Sequence, residues 1–144
     1  MKSRILTGFL CLIFSCAMAQ NKEAIIGKWQ SEHGNGRIQI YKTGDKYSGK
    51  LVWLKSPNDA AGNPKKDANN PSPALRDRPV LGVEILKGFT YNGDGEWEGG
   101  TVYDPKSGKT YSCKMSLVGN DKLKIRGYIG VSMIGKTETW TKVP

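Results

Sequence analysis

From residue 20 onward, hydrophobic and polar residues alternate with a period of two, broken by clusters of Gly, Asn and Asp. Period-two alternation between turn-forming breaks is the pattern of strands with one buried face. It predicts eight strands, over residues 27–33, 36–42, 46–54, 80–91, 96–103, 109–118, 122–128 and 133–142. No stretch after residue 20 sustains a helical period. The helix candidates are a short turn over 21–26 and a piece of segment 55–79. Eight strands are enough to close a small barrel. The expected fold is therefore all-β, an antiparallel up-and-down barrel with one long loop between strands three and four.

Several strands declare their faces. Tyr111, Cys113, Met115 and Leu117 alternate with Thr110, Ser112, Lys114 and Ser116, and Leu123, Ile125, Gly127 and Ile129 alternate with Lys122, Lys124, Arg126 and Tyr128. The first set of each pair is expected to face inward, because the second is mostly charged or hydroxylated. By the same parity Tyr47, Gly49, Leu51 and Trp53 form an inner row, and Trp97, Thr101 and Tyr103 face inward opposite Glu96 and Glu98. Strand eight is ambiguous. Trp140 shares its parity with Glu138, and a bulge between Gly135 and Trp140 is one resolution. If Trp140 points inward, Glu138 does too, and a buried carboxylate needs a cation or donor, for which Arg126 and Lys136 are the candidates.

All turns but one are short. The exception, residues 55–79, holds five of the seven prolines together with Asn58, Asn63, Asn69 and Asn70. Connections longer than about 12–15 residues are usually functional or disordered. In an up-and-down barrel, alternate connections lie at opposite ends. The Gly44-Asp45 turn, residues 92–95, residues 119–121 and both chain ends share a closed end. Residues 33–35, the long loop, residues 104–108 and residues 129–132 share the other. A binding mouth is expected there, bordered by His33, Trp53, Tyr103, Tyr111 and Ile129.

Residues 1–19 change the composition that matters. Lys2 and Arg4, an apolar run over 5–14 and the ending Ala17-Met18-Ala19 have the layout of a secretory signal peptide. The apolar run is too short for a transmembrane helix. Cleavage removes 19 of the 144 residues and leaves 125, a single domain over 20–144. No later segment is apolar enough to span a membrane as a helix. The expected location is periplasmic or extracellular. Lipid attachment at Cys16 is the disfavoured alternative, because Phe14 fits a lipoprotein signal poorly. Losing Lys2 and Arg4 lowers the net charge from +9 to +7, which favours anionic partners over nucleic acid in an exported protein. Cys11 and Cys16 leave with the leader, so Cys113 has no partner for an intrachain disulfide and the fold must rest on its core.

The ordered motifs suggest relatives. Gly27-Lys28-Trp29 resembles the Gly-x-Trp signature of lipocalins and related calycin barrels. Four further segments follow it in order: Gly99-Gly100-Thr101-Val102-Tyr103-Asp104-Pro105, Gly108-Lys109-Thr110-Tyr111, Arg126-Gly127-Tyr128-Ile129-Gly130 and Trp140-Thr141. With Asp67, Asn70-Pro71, Arg76, Arg78-Pro79 and Leu81-Gly82, they resemble the exported bacterial family catalogued as domain of unknown function 2147. The resemblance covers nearly all of residues 20–144. It implies a lipocalin-like barrel and no assigned activity. That family tends to end Trp-Thr-Arg, whereas Lys142 stands here. In lipocalins an arginine at that end covers the signature tryptophan. Lys142 can do so only as a flexible point charge.

Candidate chemistry is sparse. His33 is the one histidine, so no histidine-based metal site forms, and no phosphate-cradling loop opens a helix. Cys113 reads as an inert core thiol. Asp59 and Asp67 read as Asx-turn and loop-capping residues rather than calcium ligands, and Gly99-Gly100 reads as a strand bend. No cofactor or metal is implied, and an enzyme ranks last among the functions. Arg76 and Arg78 stand where the loop re-enters the barrel. Their guanidinium forks suit a carboxylate or phosphate, or alternatively clamp the loop to Asp67, Asp77 or Asp104. Tyr103, Tyr111 and Tyr128 offer aromatic walls with polar tips. The expected function is binding of a small amphipathic or anionic ligand at the open end, through Arg76, Arg78, Tyr103, Tyr111, His33 and Tyr128. The alternative is a filled barrel whose surface meets an envelope protein, glycan or lipid surface. A cavity of about 300 Å³ or more separates the two.

Overall fold

The computed structural model describes residues 21–128 and 135–144. The expected leader, Ile129 and residues 133–134 lie outside the described residues, as does the side chain of Tyr128. Eight strands form: β1 Gly27–Gln30, β2 Gly36–Thr43, β3 Lys46–Leu54, β4 Glu84–Tyr91, β5 Glu96–Asp104, β6 Lys109–Val118, β7 Lys122–Tyr128 and β8 Gly135–Lys142. Each pairs antiparallel with the next, and β8 returns to β1 through Trp29 opposite Lys142, closing the barrel. Strand four begins later than the alternation suggested. Residues 80–83 form a turn, with Val83 N–H donating to Val80 O, and leave Leu81 exposed.

The faces of β6 and β7 match their alternation. Cys113, Met115, Leu123 and Ile125 are buried. Continuous pairing of Leu123 with Trp140, Ile125 with Glu138 and Gly127 with Lys136 settles β8, with no bulge. Two other rows break. Arg37 pairs with Trp53 and Ile38 with Leu51, so Val52 is an extra residue and the parity of β3 reverses beyond it. Trp53 is consequently 38% exposed, and the Arg37 guanidinium lies 4.7 Å from its ring centroid on the outer face. In β5, Glu98 and Gly99 together oppose Lys114. Gly99 supplies a φ of +76°, which few other residues adopt. Beyond this bulge Gly100 and Val102 continue the inner row of Trp97, and Thr101 and Tyr103 take the other face. Inner placement of Val102 follows from its neighbours: it pairs with Tyr111, and a Cβ on Gly127 would lie 3.8 Å from both.

The closed end is filled. Trp29, Trp97, Tyr47, Phe89, Met115 and Leu123 have essentially no exposure. Fully burying a large apolar side chain contributes about 1.5–3 kcal/mol, so this cluster anchors the barrel. The segment before β1 forms a turn, not a helix, and plugs this end with Ile25. Trp29 Nε1 donates to Ile25 O at 2.9 Å, and Trp97 Nε1 donates to Lys22 O at 3.2 Å. Lys142 Nζ sits 5.5 Å from the Trp29 ring centroid, so the lysine occupies the covering position.

Candidate functional site

Toward the opposite end the inner wall thins and an open cavity of about 1560 Å³ appears. Its apolar wall includes Ile38, Leu51, Leu54, Val102, Ile125 and Trp140. His33, Asn35, residues of the long loop and Asp104–Lys106 border its mouth. These are three of the connections that neighbour topology placed at the open end; the fourth, residues 129–132, lies outside the described residues. The volume exceeds the about 300 Å³ at which a ligand pocket begins, and the side chains of the described residues do not fill it. A smaller depression of about 450 Å³, bordered by Lys42, Tyr47 and Asn92, lies among the turns of the closed end.

The long loop is ordered and forms one side of the mouth. It folds back on itself through Asp67 N–H to Arg78 O, Val80 N–H to Lys65 O and a 3-10 turn at Pro73–Leu75. Asp59 caps Ala61 and Asn63 N–H in an Asx turn. Asp67 is fully buried and organises the rest. Its Oδ1 accepts from the Tyr103 hydroxyl at 2.6 Å, and its Oδ2 accepts from Asn70 Nδ2 and Arg78 Nε, each at 2.9 Å. Burial pushes its pKa up, but the hydrogen bonds from Tyr103, Asn70 and Arg78 outweigh burial and hold it below the ordinary carboxylate value. Asn69 anchors the loop to the β5–β6 turn by donating to Lys106 O at 2.9 Å. Gly108 makes that approach possible, since a Cβ there would stand 1.9 Å from Asn69 O.

The arginines are engaged within this loop. Arg78 forms the ion pair with Asp67, and Arg76 Nε donates to Asn70 O at 2.8 Å. Neither borders the cavity. Their geometry is that of the loop clamp, with Asp67 as the acid. Tyr111 lies on the inner wall. Tyr103 stands at the rim, where its hydroxyl is committed to Asp67, and burial followed by that carboxylate raises its pKa. His33 borders the mouth with a largely exposed ring, 3.8 Å from Glu32. Tyr128 pairs through its backbone with Ser112 and Gly135.

Two charged residues join the inner wall from β8. Glu138 Oε2 accepts from Trp140 Nε1 at 3.1 Å, and Glu138 Oε1 lies 3.5 Å from Lys136 Nζ. The sequence pointed to Lys136 only as one possible partner of Glu138. Its place in the cavity follows from the parity it shares with Trp140. Cys113 is buried, which raises its thiol to about 12 and leaves it protonated. Among the described residues, no group of three or more His, Cys, Asp or Glu side chains could hold a metal ion, and no helix is long and apolar enough to cross a membrane.

A closed eight-stranded antiparallel barrel, plugged at one end and open into a cavity at the other, defines a lipocalin-like protein. The chain belongs to the family described as "Uncharacterized protein conserved in bacteria (DUF2147)", whose model matches residues 27–142. It is similar to the solved structure of protein HP1028 from the human pathogen Helicobacter pylori, which is described as belonging to the lipocalin family. That match has 26% identity and a TM-score of 0.72, covering 83% of this chain and 82% of that one. No curated protein matches the sequence.

Proposed function

We propose that this barrel binds a small amphipathic ligand after export, with the apolar part in the cavity and the polar or anionic end at the mouth. The cavity carries this reading. An open space of about 1560 Å³ with Ile38, Leu51, Ile125 and Trp140 at its inner side and polar loop residues at its rim has the lining that suits an amphipathic molecule. The rim is polar and carries both signs, with Lys55, Lys65, Lys66 and Lys106 beside Asp59, Asp77 and Asp104, a slight cationic excess that suits a polar or negative end group. The lipocalin-like fold supports ligand binding at the same coarse level. The alternative, a filled barrel acting through its surface on an envelope component, has less support, because the described residues leave the open end unfilled. The test is native mass spectrometry of protein gently released from its own cells. A stoichiometric small molecule, released by organic solvent, is the expected result. Protein that is empty, and whose thermal midpoint no amphiphile raises, would falsify the reading.

A further inference from the structure

The inner wall of the cavity is apolar along β2, β3, β6 and β7, yet β8 directs two charges into it. Chance does not set their direction, because pairing with the buried residues Leu123 and Ile125 fixes the row. A one-residue slip would turn Trp140 outward. Glu138 is the more enclosed of the two, with a side chain 31% exposed and both oxygens occupied. Lys136 is different. Its side chain is 74% exposed, and among the described residues its ammonium has one polar contact, at 3.5 Å, beyond ordinary hydrogen-bond length. An ammonium has three donors, so Lys136 retains capacity for an acceptor. It also stands beside open space. Its cross-strand neighbour is Gly127, and a Cβ there would meet only Tyr111 and Val102, at 3.8 Å. Of the two arginines of the long loop, Arg78 is paired with Asp67 and Arg76 donates through Nε to Asn70 O, and neither borders the cavity.

We propose that the ligand is a carboxylate with an apolar tail, and that Lys136 is the residue that holds its acid group. The tail lies deeper, toward Ile125 and Trp140. Glu138 is held in place by the indole N–H of Trp140 and serves as an internal anion from which Lys136 is drawn when the ligand's carboxylate arrives. An internal competitor of this kind weakens binding of an anion and leaves a ligand lacking a charge unaffected, since Lys136 then stays on Glu138. Selection for an acid over the matching alcohol therefore comes from Lys136, and Glu138 sets how strong it is. This assignment rests on the cavity-binding reading above.

The test compares decanoate with 1-decanol by titration calorimetry on the parent protein and four variants. The parent is expected to prefer decanoate. Lys136→Met should weaken decanoate about tenfold or more, the loss of one hydrogen bond to a charged group, and leave decanol unchanged. Lys136→Arg should restore most of the preference. Glu138→Gln keeps an acceptor for Trp140 but removes the competing charge, so decanoate should bind several-fold more tightly. Arg76→Gln, which leaves the Asp67–Arg78 pair in place, should leave the acid preference intact. Because Lys136 is largely exposed, its substitution should not move the thermal midpoint, which separates a binding effect from an unfolding one. Decanoate affinity unchanged in Lys136→Met, or an acid preference lost in Arg76→Gln, overturns the assignment while the cavity reading stands. Failure of both decanoate and decanol to bind the parent overturns the two together.

Discussion

Asp67 shows how one residue sets a loop. Its carboxylate gathers Tyr103 from β5, Asn70 from the loop and Arg78 from the loop's far end. Removing it in Asp67→Ala leaves a guanidinium and two polar groups without their partner. The Arg78 side chain left behind is 35% exposed and can be rehydrated, so the cost is that of a lost hydrogen bond to a charged group, about 1.5–3 kcal/mol, and chemical denaturation should show a loss of that order. The pH dependence follows from the direction of its shift. The folded carboxyl titrates below the ordinary value of 3.8, so its contribution is present above that value and is lost as pH falls through the lower folded value. Melting curves of the parent should therefore drop more steeply below about pH 4 than those of Asp67→Asn. Cys113 provides a second check at this scale. Burial and a thiol pushed up to about 12 make it inert, so a thiol reagent should label it only after unfolding. Its fate was legible, because it sits mid-row between Tyr111 and Met115. The fate of Arg76 and Arg78 was legible only as a choice between two roles. Asp67 lies eleven residues from Arg78, and only the path of the loop brings them together.

At the scale of elements, the alternation located all eight strands and oriented β6 and β7, while β8 was oriented only by its pairing with β7. It failed on Trp53 and Thr101 for the same reason. A bulge inserts one residue according to the partner strand's register, which local sequence does not carry. Gly99-Gly100 did mark one of these sites as a bend, but not which way the following residues turn. Gly100 has a further role, since a Cβ there would stand 2.5 Å from the Phe89 ring and 2.6 Å from Lys87 O. The docking of the long loop was not legible at all, because it depends on Gly108 meeting backbone 39 residues away. Gly108 has a φ of +71° and no room for a Cβ beside Asn69 O. Gly108→Ala should therefore lift the loop from the β5–β6 turn, at a cost of about 1–3 kcal/mol from backbone strain alone. Hydrogen exchange should rise across residues 65–80 while the closed-end strands keep their protection. Unchanged exchange there would show that the loop does not need this contact.

For the whole molecule, neighbour topology alone divided the connections between a plugged end and an open one, and the cavity lies at the predicted end. Its size was not legible, since the same inner residues fill a barrel or leave it open according to strand tilt and bulge position. The division makes the barrel's tryptophans useful reporters. Trp140 lines the cavity, Trp29 and Trp97 are sealed in the plug, and Trp53 lies outside. A decanoate brominated near the end of its chain quenches an indole it touches. Saturable quenching of the parent protein's fluorescence, largely abolished in Trp140→Phe, is the expected outcome if the apolar tail enters the cavity. Quenching that never saturates, or that survives Trp140→Phe undiminished, would contradict binding inside the barrel.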